Sequence, residues 1–186
     1  MTRFIAAMTA LAAVLWLSAC AIPPTADRGD IDALAQAIRA LGPDVDPAEA
    51  DRAAEIAHLY PLELAKEYGI TDPPLIHNAK VIRGERKRGL CNHWAEDLER
   101  RLEAERFRTL DILRAISPPS PFRIIHHTVV ISARGGTIPE GIVLDPWRKG
   151  GTLFWAPVQE DDHYNWRPRH EVVQELLVAR GLPATP

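Results

Sequence analysis

Between residues 31 and 105 the apolar positions recur at three- and four-residue intervals, and beyond residue 109 they fall into short runs broken by proline and glycine. The first spacing is that of helices with one buried face, the second that of strands. Asp30 is placed to cap a helix carrying Ile31, Leu34, Ala35, Ile38 and Leu41, with Gly42 as its stop. Asp46 and Pro47 open a second helix through Ala54, Ile56, Ala57 and Leu59, broken or kinked near Pro61 and closed by Gly69. A third starts at Asp72-Pro73-Pro74 and carries Leu75, Ile76, Ala79 and Ile82. Leu90, Trp94, Leu98 and Leu102 form the buried stripe of a fourth, from Cys91 to Glu105.

Extended runs follow at Thr109 to Ile116, Phe122 to Ser132, Ile142 to Asp145 and Leu153 to Trp155, and Arg169 to Arg180 closes the chain as a helix turning Val172, Val173, Leu176 and Leu177 inward. The loop signals between the first three runs are Ser117-Pro118-Pro119-Ser120-Pro121 and Arg134-Gly135-Gly136. Strands in series with no helix between them predict an antiparallel meander. Helices, then sheet, then helix is an α+β order, with the N-terminal helices packed on an antiparallel sheet. No internal repeat or low-complexity stretch is present.

The first residues read differently. Arg3 precedes an apolar stretch from Phe4 to Leu17 that ends in Leu17-Ser18-Ala19-Cys20. It is shorter than the about 20 apolar residues a bilayer span needs. The ending resembles the lipobox of bacterial lipoproteins, which implies cleavage before Cys20 and lipidation of its sulfur; an ordinary secretory signal is the alternative. Ala21 after the cysteine favours, by the same analogy, the outer membrane facing the periplasm. The resulting organisation is a signal peptide over 1–19, a tether over 20–29 and a single domain over 30–186. A formal net charge of −3 gives no argument for nucleic acid or an anionic surface as partner; the membrane contact expected is the lipid anchor.

With Cys20 committed to lipid, Cys91 is a lone thiol in an exported domain where disulfides would be allowed. Such a residue is either buried and inert or present for chemistry. Its place in the first turn of a helix, behind Arg83, Arg86, Lys87 and Arg88, favours a thiolate, although a basic run by itself is a solvated loop. A thiol nucleophile also needs a base and a group that orients the base. The doublet His126-His127 puts one imidazole on each face of its strand. His127 shares a face with Val129 and Ile131, the side expected to meet the helix, so parity favours it over His126. Asp145, in Leu144-Asp145-Pro146-Trp147, is placed on the next strand to orient it. Taken singly, each of these has an ordinary explanation: a core cysteine, a strand histidine, a turn aspartate. A metal site from His93, His126, His163, His170 and Cys91 lacks any compact ligand spacing, and no metal or cofactor is expected. Trp94, Trp147, Trp155, Tyr164 and Trp166 cluster around these elements as core, sheet cover or cleft walls.

Over residues 88 to 148 the chain resembles the transglutaminase-like superfamily, the papain-related group with Cys, His and Asp in that order on one helix and two adjacent strands. The residues that carry the resemblance are Gly89-Leu90-Cys91-Asn92-His93-Trp94, His127-Thr128-Val129-Val130 and Leu144-Asp145-Pro146-Trp147. It implies a transglutaminase-like, papain-like core and acyl transfer through a thioester, as a peptidase, amidase or transglutaminase acting on a peptide or peptidoglycan-like amide. Cys91 would be nucleophile, His127 base and Asp145 orienter. The N–H of Cys91 is a natural oxyanion donor, and family practice adds a side chain from the preceding segment, for which Asn78 is the candidate. The alternative is a non-catalytic relative that keeps the fold and binds a peptide or partner in its cleft.

Overall fold

The computed structural model describes residues 26–183, so the expected leader, Cys20 and most of the tether lie outside the described residues. Helix α1 spans Arg28–Arg39, and its cap is Asp27, not Asp30. The Asp27 carboxylate accepts from the N–H groups of Gly29 (2.7 Å) and Asp30, so the end of the expected tether is already helical. Asp30 instead accepts the indole N–H of Trp155 at 2.9 Å, tying α1 to the sheet. Ile31, Leu34, Ala35 and Ile38 are buried, as their spacing predicts.

Helix α2, Pro47–Tyr68, is capped by Asp46 and closed by Gly69 in the left-handed conformation. It runs unbroken through Pro61. A proline there removes one N–H and its helical bond, but burial of Ala50, Ala53, Ala54 and Ala57 before it and Leu64, Ala65 and Tyr68 after it holds both halves against the core. The small side chains let α1 approach closely; Leu59 faces solvent. In helix α3, Pro74–Ile82, the expected stripe is reversed: Leu75, Ile76 and Ile82 are exposed, and the buried residues are His77 and Asn78. Helix α4 is Cys91–Glu103, with Trp94, Leu98 and Leu102 inward.

Strands β1 (Leu110–Ser117), β2 (His126–Ala133), β3 (Ile142–Lys149) and β4 (Thr152–Pro157) form the expected antiparallel meander, and β5 (Arg167–Pro168), not foreseen, adds to the β1 edge. β2 begins at His126 rather than Phe122, whose side chain is 97% exposed. The reason is its partner: β1 pairs only as far as Ser117↔His126, where the prolines that follow end it. β3 continues past Asp145 through Pro146, accommodated by a register shift against β4.

The sheet separates two sets of side chains. Val129, Ile131, Ile142 and Leu144 pack with Leu98 and Leu102 of α4 and with α1 and α2. Ala115, Val130 and Val143 pack on the opposite face with Ile138 and Trp166. Helix α5, Arg169–Ala179, lies against β1 and β5 and buries only Val172 fully, so its inward face is narrower than expected. The arrangement is α+β, one five-stranded antiparallel sheet with helices α1, α2 and α4 on one face. Among the described residues no helix is long and apolar enough to cross a membrane.

Candidate active site

The turn before α4 is strapped at every peptide. The His77 imidazole donates to the carbonyl of Arg88 (2.9 Å), the Trp94 indole donates to the carbonyl of Gly89 (3.0 Å), and the N–H groups of Gly89 and Leu90 both donate to Nδ1 of His93. Gly89 sits at φ 123°, a region L side chains rarely adopt, and a Cβ there would lie 2.3 Å from Nε2 of His77. The consequence is a fixed position for Cys91, the first residue of α4, whose N–H is a first-turn donor without an intrahelical acceptor. Arg88, read in the sequence as part of a solvated loop, turns back to Asp97 at 2.9 Å.

Cys91 is 6% exposed and shares an apolar cluster with Leu64, Tyr68, Trp94 and Trp147. Its Sγ lies 3.9 Å from the carbonyl oxygen of Ile125, the residue before β2. The thiol therefore meets the strand at His126. That imidazole is wholly enclosed, and its Nε2 donates to Oδ2 of Asp145 at 2.6 Å. Its Nδ1 is buried with no hydrogen-bond partner. Burial acts to lower the His126 pKa, but the Asp145 carboxylate, with a smaller contribution from Cys91, outweighs it and raises the value to about 9.

The structure thus pairs Asp145 with His126, beside Cys91, and not with His127 as expected. The expectation had the helix-facing side right: His127 does share it with Val129 and Ile131. Asp145 is the residue on the other side. Val130 pairs with Val143 and Val129 with Leu144, and cross-strand partners share a face, so odd positions of β3 lie with even positions of β2. The His127 ring lines a cleft of about 740 Å³ with Asn92, Glu96, Arg114, Arg169 and His170. There burial first, then the cations of Arg114 and Arg169 and the neighbouring His126, push its pKa down to about 4, so it is neutral near pH 7.

Asn78 is buried rather than solvent-facing, and its Oδ1 accepts the indole N–H of Trp147 at 3.1 Å. Trp147 in turn packs on His126, ring centroids 4.7 Å apart, so Asn78 is linked to the site through that indole. Tyr164 (4.6 Å) and Trp166 (5.5 Å) complete an aromatic box around His126.

Two further residues, Arg148 and Asp161, complete the site. Arg148 Nε donates to Oδ2 of Asp145 at 2.7 Å, and its Nη1 donates to Asp161 at 3.1 Å. Nothing in the sequence points to Asp161, and strand alternation puts Asp145 and Arg148 on opposite faces; they meet because the register shifts between Asp145 and Lys149. Among the described residues no group of three or more His, Cys, Asp or Glu side chains is arranged to hold a metal ion. The chain matches no family model, no curated protein and no solved structure.

Proposed function

We propose that the chain is a thiol-dependent acyl-transfer enzyme with a transglutaminase-like core, tethered through lipid on Cys20 to the bacterial envelope at the periplasmic side of the outer membrane, and acting on a peptide or cell-wall amide. The observation that carries the catalytic reading is the enclosed His126–Asp145 pair, 2.6 Å apart, at the strand end that Cys91 meets from the start of α4. Cys91 attacks the carbonyl carbon with its proton already held on Nδ1 of His126, the nitrogen not engaged by Asp145, as the imidazole pKa of about 9 favours near neutral pH. The tetrahedral oxyanion is met by the N–H of Cys91, with Asn78 the candidate for a second donor. Collapse breaks the C–N bond; His126 returns the proton to the leaving amine and a thioester remains on Cys91. Water or an acceptor amine, deprotonated by His126, then releases the acyl group and restores the thiol.

The burial of Cys91, 6% exposed, favours a second reading, a lipid-tethered binding module that keeps the fold without turnover. The two separate in a mixture of peptides with free and blocked termini, read by mass spectrometry. The enzyme converts an amide to acid or to a new amide and Cys91→Ala does not. A peptide retained unchanged by wild type and Cys91→Ala alike supports the module. Loss of fatty-acid labelling in Cys20→Ala tests the anchor, and unchanged labelling rules it out.

A further inference from the structure

We propose that Arg148 and Asp161 are positioning residues of the site: the guanidinium clamps the Asp145 carboxylate in the orientation that His126 requires, and Asp161 holds the clamp and offsets its charge. This rests on the reading of Cys91, His126 and Asp145 as a triad. The geometry is that of a built device. Arg148 spends Nε on Asp145 and both terminal nitrogens on Asp161, the Nη2 contact being the shorter. Asp161 also accepts the indole N–H of Trp166 at 2.8 Å. The guanidinium carbon lies 4.0 Å from the centroid of the Phe154 ring and 4.6 Å from that of Tyr164, which fix its plane. Asp145 and Asp161 are 1% and 5% exposed, and buried carboxylates persist only when paired. One cation between two anions pairs both. With Trp147 N–H on Oδ1 and His126 and Arg148 on Oδ2, Asp145 has no freedom to turn away from the imidazole.

The same arrangement sets the charge felt by His126. Nearest it are Asp145 from β3, Cys91 from α4 and the Tyr164 ring, with His127 beside it in β2; Arg148 reaches it through the shared Asp145 oxygen, and Asp161 through Arg148. Of these, Arg148 opposes a proton on the ring and Asp161 favours one, so removing either moves the imidazole in opposite directions. A merely structural pair would not do this.

The test is an NMR titration of the His126 ring in the folded full-length chain. Arg148→Met removes the cation shared by the two buried carboxylates and is expected to raise the midpoint by about one pH unit; Asp161→Asn frees the cation to act on Asp145 and is expected to lower it by about as much. Arg148→Lys keeps the charge without the fork, so the midpoint stays near that of the wild type while acylation of Cys91 slows. Should Arg148→Met fail to fold, Asp161→Asn decides. A midpoint equal to the wild type in the folded variants, or one moving the same way in both, overturns the proposal. The titration needs no turnover: a wild-type Cys91 that takes no acyl group defeats the triad reading, whereas unmoved midpoints defeat the clamp.

Discussion

At Asp145 one carboxylate serves three donors, the amide of Trp147, the imidazole of His126 and the guanidinium of Arg148. Its charge and both its oxygens are in use. Asp145→Asn puts an NH₂ group where an acceptor is needed, so the imidazole proton moves to Nδ1 and the ring can no longer take one from the thiol. Acylation of Cys91 by a nitrophenyl ester, followed by intact mass, is expected to slow on the order of 10²–10⁴-fold; a rate equal to the wild type would remove Asp145 from the mechanism. That Cys91 and Asp145 would lie near one another was legible from their order and spacing. Which histidine joins them was not. Alternation shows that His126 and His127 face opposite ways, and Val129 and Ile131 identify the helix-facing side, but the acid's side depends on the β2–β3 register. That register is set by the turn through residues 134–141, and a shift of one residue there would exchange the two histidines.

The element that places Cys91 is the turn from Arg88 to Leu90, held by His77 from α3 and by His93 and Trp94 from α4. Gly89→Ala sets a Cβ 2.3 Å from the His77 ring at a positive φ, so the turn, the ring or both must shift. The expected cost is about 2 kcal/mol or more in urea unfolding, with slower acylation of Cys91 in the protein that remains folded. Unchanged stability and rate would show that the turn is not a constraint. The helices themselves were readable because their ends carry local chemistry: Asp46 with Pro47 at one end of α2 and Gly69 at the other need no tertiary information. α1 shows the limit, since Asp27 and Asp30 are both competent caps and the choice went to the one that leaves Asp30 free for Trp155. In α3 the periodicity misled, because what the site needs from it are His77 and Asn78, two polar side chains turned inward toward Arg88 and Trp147.

For the molecule as a whole, two neighbouring histidines shift in opposite directions and shape stability on both sides of neutrality. His126, raised from 6.5 to about 9, contributes stability that is fully present below pH 6.5 and lost as pH rises through 9. His127, lowered from 6.5 to about 4, contributes stability present above pH 6.5 and lost as pH falls through 4. Buried His58, also lowered, adds to the acid side. Thermal unfolding across pH is expected to show a maximum near 6.5, with the alkaline limb flattened in His126→Gln and the acid limb in His127→Gln. Limbs unchanged in both variants would contradict these assignments. The α+β order and the meander were legible at this scale from element succession alone. The short β5 and the Arg148–Asp161 contact were not, because both depend on where the segment after β4 returns to the sheet. The central claim, that Cys91 acts through His126, is tested most directly by one comparison: intact-mass detection of an acyl group on Cys91 after reaction with a nitrophenyl ester, in the wild type, His126→Ala and His127→Ala. The acyl-Cys91 species is expected in the wild type and in His127→Ala and to be lost in His126→Ala; acylation that survives in His126→Ala and disappears in His127→Ala would contradict the account.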